Sequence, residues 1–143
     1  MKLIQTNNKF NQAVPSQALV NIGKTDRKIN SYNNCINKYL FVENTDSITI
    51  NCLGYYKVDA NFVVKSAEAC EVNIGLVINN VVISKIKETY VGGDIKTLHL
   101  DKIIRLEKGC FKFPAEPLKI QLVNLSEGEI EIQSLNLTVL KVE

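Results

Sequence analysis

Apolar and polar side chains alternate most cleanly along residues 54–66, GYYKVDANFVVKS. One parity carries Tyr56, Phe62 and Val64, whereas the other carries mostly polar residues such as Lys57. A period of two is typical of a β-strand that is buried on one face. A shift of one residue in register would bring charged side chains into the core, so we expect this register to be fixed.

Other segments with strand patterns follow one another along the chain. They span residues 17–22, 38–43, 47–52, 71–78, 81–88, 95–106, 118–124 and 129–143. Within residues 129–143 the apolar residues change from one parity to the other, which predicts a β-bulge in that strand. Within residues 95–106 Lys102 interrupts the apolar parity, which predicts a second bulge near Asp101. No window favours a helical period. About eight or nine strands at short spacing predict an all-β sandwich or barrel.

Two polar segments lack a strand pattern. Residues 1–16 are rich in Asn and Gln, which predicts either a frayed end or a docking arm that orders on a partner. The folded domain would then comprise residues 17–143. Residues 24–37 are rich in Lys, Asp, Asn and Ser and are predicted to form a long surface loop that includes Asn33 and Asn34.

Turns between the predicted strands supply the other candidate binding loops. Asn79 and Asn80 separate two strand patterns, and Asn tolerates the positive φ that tight hairpin turns require. Gly92 and Gly93 break the chain before the next strand pattern. Together with the loop of residues 24–37, these turns are the candidate binding loops.

Charge and length exclude several classes of partner. The 143 residues include 17 basic and 15 acidic ones, for a formal net charge of +2. These charges are intermixed and form no stripe that would follow a phosphate backbone, so we expect no nucleic-acid partner. No apolar run is long enough for a membrane span or a secretory signal, so we expect no membrane partner and folding in a cytoplasm. The length suits one domain with one core.

The four cysteines show no metal or redox spacing. No Cys-x-x-Cys pair occurs among Cys35, Cys52, Cys70 and Cys110, so the sequence predicts neither a zinc site nor a thioredoxin-like motif. An even number allows two disulfides, but cytosolic thiols stay reduced. We therefore favour free thiols and expect no cofactor.

His99 is the only histidine, and a metal or catalytic site would have to be built on it. On a strand, His99 and Asp101 share a face, so the geometry allows a weak metal site. Neither a Gly-x-Ser-x-Gly nucleophile elbow nor a phosphate-binding loop motif occurs. We expect a surface or interface histidine, no resident metal and no catalysis.

Two features predict contact with another subunit. Tyr55 falls on the polar parity of residues 54–66, where it is either half exposed or buried in a contact, since aromatic residues concentrate at interfaces. Leu135, Leu137 and Val139 lie on the parity opposite the apolar positions that precede them. Unless a bulge realigns these three residues, another subunit would have to cover them.

Several of these segments, in this order, resemble a known family. LGYYKVDANFVV, EVNIGLVINNVVI and TLHLDKIIRLEKGC are similar to successive strand signatures of the trimeric jelly rolls related to tumour necrosis factor and the globular complement-component head. SLNLTVLKV resembles that family's closing strand, so the resemblance covers about residues 47–142. Two features depart from the family: Cys110 follows Gly109 where Asp is common, and a collagen-like Gly-X-Y stalk is missing.

The resemblance implies a single antiparallel jelly-roll sandwich that assembles as a homotrimer and has no catalytic residues. Small, Lys- and Asn-rich versions without a signal peptide are similar to proteins of bacteriophage particles. The implied function is that of a non-enzymatic virion protein, made in the host cytoplasm. It would be a decoration or head-fibre trimer bound to a capsid or another virion protein, with residues 1–16 as the capsid-docking arm. The alternative is a receptor- or glycan-binding tip of a phage tail or bacterial surface protein, which would use the candidate binding loops.

Overall fold

A computed structural model describes residues 3–29, 39–50, 54–106 and 117–142. Within these ranges the chain forms eleven strands and no helix, which confirms the all-β prediction. The strands are β1 (Leu3–Asn8), β2 (Gln12–Val14), β3 (Lys24–Ile29), β4 (Tyr39–Leu40), β5 (Ile48–Ile50), β6 (Gly54–Lys65), β7 (Cys70–Ile78), β8 (Val81–Tyr90), β9 (Ile95–Leu106), β10 (Leu118–Asn124) and β11 (Ile130–Lys141).

Two antiparallel sheets form the sandwich. The first sheet has the strand order β3-β1-β11-β6-β9, with β2 also paired to β11. The second sheet has the order β4-β5-β10-β7-β8. β6 and β7 lie in different sheets, as do β8 and β9, while β1 pairs with β11 from the other end of the chain. The predicted antiparallel jelly-roll sandwich is therefore confirmed.

β6 lies between β11 and β9 and carries the alternation predicted from its sequence. Tyr56, Val58, Phe62 and Val64 have no exposed surface, whereas Lys57 lies on the opposite face. Burial of each large apolar side chain contributes about 1.5–3 kcal/mol. This contribution is lost if the register shifts by one residue, and the register is fixed for that reason.

The bulge predicted in the last strand is present. The register of β11 against β6 shifts between Ile132 and Ser134. This extra residue returns Leu135, Leu137 and Val139 to the core, where all three side chains are fully buried. The prediction that another subunit covers these three residues is therefore wrong, because the chain's own second sheet already does so.

β9 contains no bulge. It pairs with β6 without interruption from Ile95 to Leu106, so the bulge predicted near Asp101 is wrong. Lys102 occupies the core-facing parity and is nevertheless exposed. This is tolerated because β9 is an edge strand, and the long Lys side chain carries its ammonium group past the edge into water.

The described part of the N-terminal segment belongs to the sandwich. β1 lies between β11 and β3, and its Ile4 and Thr6 side chains are buried. The prediction of a frayed end or docking arm over residues 1–16 is therefore wrong, and the domain begins before residue 17. The composition suggested an arm because Gln5 and Asn7, on the outward parity of β1, are polar.

Two other predicted segments also differ from the structure. Lys24–Ile29 is the edge strand β3, whereas a loop was expected over residues 24–37; edge strands commonly carry charged side chains. Asn33 and Asn34 lie outside the described residues. Residues 17–22 form no strand and contribute an isolated bridge between Leu19 and Val123.

The side chain of Asn124 is fully buried and forms hydrogen bonds with two connecting segments at one end of the sandwich. Its Nδ2 donates to the carbonyl oxygens of Val14 at 2.9 Å, Pro15 at 3.2 Å and Gly128 at 3.0 Å. Its Oδ1 accepts from the backbone N–H of Ser126 at 2.9 Å. The segment after β2 and the turn after β10 are thus joined by one amide.

Candidate interaction surface

Side chains of β1, β11, β6 and β9 that point away from the core form the outer face of the first sheet. Backbone pairing sets them in rows that cross the strands. The rows consist of Leu3, Leu140, Lys57 and Ile103; of Gln5, Thr138, Asp59 and Asp101; and of Asn7, Asn136, Asn61 and His99. The first row is mostly apolar and the other two are polar, so the character of the outer face changes from one end to the other.

We call Tyr55, Ile103, Leu140 and Val142 the apolar end of the outer face; Leu3 of the first row is buried, and Lys57 lies between Leu140 and Ile103. The backbone N–H of Val142 donates to the carbonyl oxygen of Tyr55 at 2.9 Å, which brings these two residues side by side. Tyr55 is 37% exposed, Val142 48% and Ile103 60%. Adjacent exposed apolar side chains are typical of a contact surface.

Tyr55 is held in place by a cation–π contact. The guanidinium carbon of Arg105, its cross-strand neighbour on β9, lies 5.2 Å from the centre of the Tyr55 ring. Contacts of this kind are worth about 0.5–1 kcal/mol at exposed positions. The contact therefore favours this orientation of the ring, while part of the ring surface remains exposed.

A second cluster lies two rows away, where His99 meets two carboxylates and an amide. His99 Nδ1 is 2.7 Å from Asn61 Oδ1. His99 Nε2 is 3.5 Å from Asp59 Oδ1 and 4.0 Å from Asp101 Oδ2. The predicted shared face of His99 and Asp101 is confirmed. Asp59 and Asn61 were missed, because the pairing of β6 with β9 cannot be read from either strand alone.

The candidate binding loops do not lie together. Asn79 and Asn80 have φ values of 48° and 68°, which confirms the predicted hairpin turn. Gly92 and Gly93 form the turn at the other end of β8, a ten-residue strand that spans about 30 Å. The two turns therefore cannot contact one small ligand together, and their role in binding stays a prediction.

Asn79 has a structural role in addition to its turn. Its backbone N–H donates to the carbonyl oxygen of Lys119 at 3.1 Å, and its Oδ1 accepts from the backbone N–H of Lys119 at 2.7 Å. These two bonds tie the hairpin of β7 and β8 to β10. The Asn79 side chain amide oxygen is thus already used within the sandwich.

A cavity of about 810 Å³ opens beside β3 and the hairpin of β4 and β5. Its lining includes Asn21, Lys28, Phe41, Val42 and Asn44. Amide groups and a cation beside an aromatic ring are suited to binding a polar small molecule. Lys28 belongs to residues 24–37, which were predicted to form a binding loop. One residue of that predicted loop therefore lines the cavity.

The Ser66 hydroxyl beside Cys70 is already hydrogen-bonded within the fold. Ser66 Oγ lies 3.1 Å from Cys70 Sγ, a free thiol, but it already donates to the carbonyl oxygen of Glu68 at 2.7 Å. Cys35, Cys52 and Cys110 lie outside the described residues. Within the described ranges, no helix is long and apolar enough to cross a membrane.

Two buried phenols stay protonated over a wide pH range. Burial raises the pKa of Tyr56 to about 12. Burial, together with the nearby Glu88 carboxylate, raises the pKa of Tyr90 to about 12. The Tyr90 hydroxyl donates to the carbonyl oxygen of Val64 at 3.0 Å, so this phenol links β8 to β6 across the two sheets.

Solved structures of similar fold were found for this chain. No family model and no curated protein matches the chain. The globular domain of a zebrafish complement 1qA protein is similar, with a TM-score of 0.65 and 8% identity over 100% of this chain and 98% of that one. The PRD1 vertex protein P5 is similar with a TM-score of 0.56 and 11% identity, over 99% of this chain and 97% of that one.

A third similar structure comes from a larger chain. A protein of the T13 IBDV viral particle matches 97% of this chain but only 31% of its own length, with a TM-score of 0.50 and 8% identity. At sequence identities this low, structural similarity is evidence about the fold and not about the function. The resemblance to complement-type and viral jelly rolls is confirmed as a likeness of architecture.

Proposed function

We propose that this chain is a non-enzymatic structural protein of a virus particle, and more specifically a homotrimeric decoration or head-fibre protein of a bacteriophage. The observation that carries the proposal is the likeness of fold to the PRD1 vertex protein P5, which covers nearly the whole of both chains. The likeness to a protein of the IBDV viral particle supports it in the same sense. The chain would then bind a capsid or another virion protein.

The apolar end of the outer face is the proposed contact between the three copies. Tyr55 and Ile103 expose apolar surface there, while Leu140 is half buried beside them. Removing such surface from water contributes about 25 cal/mol per Å². The proposed interface therefore keeps Tyr55 from the sequence analysis, and its other members become Ile103, Leu140 and Val142.

Multi-angle light scattering of the purified chain tests the trimer. The expected mass is three times the 16.0 kDa of one chain. Ile103→Glu should reduce the mass to that of one chain, because it places a charge in an apolar contact. Val81→Glu is the matched control, since Val81 is 61% exposed, like Ile103, but lies on β8 in the second sheet.

Two outcomes of this experiment would contradict the proposed interface. One is a wild-type mass of a single chain at every concentration tested. The other is an Ile103→Glu variant that stays trimeric, as the Val81→Glu control should. Association with particles is a separate test: mass spectrometry should find the chain in purified virions of the virus that encodes it, and its absence there would contradict a virion location.

A second candidate function is recognition of a host-surface glycan, favoured by the cavity beside β3. Phe41 and the amides of Asn21 and Asn44 line it, and stacking on a ring beside amide donors suits a sugar. A glycan array with the wild-type chain should show binding that Val42→Arg abolishes. Val91→Arg is the control, because Val91 is similarly exposed and lies outside the lining. Absence of any array signal would leave only the structural role.

A further inference from the structure

We propose that Asp59, His99 and Asp101 bind a divalent transition-metal ion, with zinc the best match, on the outer face of β6 and β9. The site is formed within one chain and does not depend on the proposed function. The donors are the imidazole Nε2 and one oxygen from each carboxylate.

The strand pairing brings two like charges directly opposite each other. Asp59 on β6 is the cross-strand partner of Asp101 on β9, and both side chains point outward. Like charges at directly opposed positions of a sheet destabilise the pair. His99 lies on the next outward position of β9, so its ring reaches toward both carboxylates. A bound cation would offset the repulsion that this register creates.

The distances between the donor atoms suit a metal ion. Nε2 of His99 is 3.5 Å from Asp59 Oδ1 and 4.0 Å from Asp101 Oδ2, and the three donor atoms all lie within 4.8 Å of one another. Zinc binds nitrogen and carboxylate oxygen at about 2.0–2.2 Å, which holds tetrahedral donors roughly 3.3–3.6 Å apart. The pair with Asp59 already fits, and Asp101 is exposed and needs only a small side-chain rotation.

Asn61 sets the orientation of the imidazole. Its Oδ1 lies 2.7 Å from His99 Nδ1, and because an amide oxygen only accepts, Nδ1 carries the proton. In the neutral ring Nε2 then presents its lone pair to the two carboxylates. Metal-binding histidines usually donate their second ring N–H to such a partner. Asn61 is therefore a positioning residue of the proposed site.

The charges around the cluster leave the donors accessible. Lys57 Nζ lies 3.6 Å from Asp59 Oδ2, so the lysine pairs with the carboxylate oxygen that does not face His99. The imidazole and the side chains of both aspartates retain exposed surface, so water can complete the coordination sphere. One imidazole with two carboxylates suits zinc and related ions, whereas calcium and magnesium prefer oxygen ligands alone.

Isothermal titration of the tag-free chain with Zn²⁺ tests the site. Wild type should bind one ion per chain, and His99→Ala should abolish this binding. Asn61→Ala should weaken zinc binding by about 10- to 100-fold, as loss of a partner that orients a metal ligand does. Glu71→Gln is the control, because it removes an exposed carboxylate on β7, outside the cluster, and should leave the affinity unchanged.

Nuclear magnetic resonance of wild type gives a readout that needs no variant. His99 is the only histidine, so its ring signals should shift at Nε2 on addition of Zn²⁺ and remain unchanged with Mg²⁺. Either no saturable zinc binding by wild type, or binding that His99→Ala retains, would overturn the proposal. In that case the cluster would be an ion pair of imidazolium with two carboxylates, and the trimer proposal would be unaffected.

Discussion

Leu137→Ala distinguishes the core position seen in the structure from the subunit contact that the sequence suggested. Leu137 is fully buried, and its cross-strand neighbours are Thr6 on β1 and Ala60 on β6. Both neighbours are small, so they fill little of the space that the truncated side chain would leave. The substitution therefore loses the transfer free energy of the removed atoms and also leaves a cavity.

The expected loss is about 3–4 kcal/mol in the free energy of unfolding, within the range of about 2–5 kcal/mol for such truncations. For a domain of this size, that corresponds to a fall of roughly 10 °C in melting temperature. The oligomeric mass of the folded protein should not change, because no part of Leu137 reaches the surface.

Urea denaturation followed by circular dichroism measures this loss, and light scattering measures the mass. Val91→Ala is the control, since Val91 is 68% exposed and its truncation should change stability by less than about 0.5 kcal/mol. A loss below about 1 kcal/mol for Leu137→Ala, or a change in mass without loss of stability, would refute the placement of Leu137 in the core.

Three further predictions concern a buried amide, a glycine with positive φ and two buried phenols. Asn124→Ala should lower the free energy of unfolding by about 3 kcal/mol, measured by urea denaturation, because one buried carbonyl, two partly buried carbonyls and one buried N–H lose their partner. Gly23→Ala should cost about 3 kcal/mol or more in the same assay, since φ is +92° and a Cβ would clash with the carbonyl oxygen of Asn7. The pKa values of Tyr56 and Tyr90 are raised from 10.0 to about 12 by burial, so the stabilisation by their protonated phenols is complete below pH 10 and is lost as the pH rises through 12. Unfolding midpoints that stay constant over this alkaline range would contradict that assignment.

The alternation of apolar and polar residues predicted the strand β6 but not the strand β1. In β6, large apolar residues such as Phe62 alternate with charged ones, so strand, register and buried face were all predictable. In β1, the outward positions carry Gln5 and Asn7, and the inward positions include Thr6, so the same period of two is hidden by polar residues. Its place between β11 and β3 depends on pairing with residues at the other end of the chain.

For both the apolar end and the cluster around His99, the sequence predicted only some of the members. The shared face of His99 and Asp101 follows from their spacing on one strand. Asp59 and Asn61 join them only through the register of β6 against β9. Ile103 and Leu140 similarly become neighbours of Tyr55 and Lys57 through pairing of three strands, and no local pattern indicates this.

The sequence by itself determined that this protein is an all-β sandwich, where most of its strands run, and which face of β6 is buried, because alternation is a property of adjacent residues. Only the tertiary structure decided that residues 3–14 belong to the sandwich, that Leu135, Leu137 and Val139 are core, and which side chains meet on the outer face. Those outcomes depend on strand pairing between distant parts of the chain and on the bulge between Ile132 and Ser134. The pairing energies come from contacts that form only when the two sheets close over a common core.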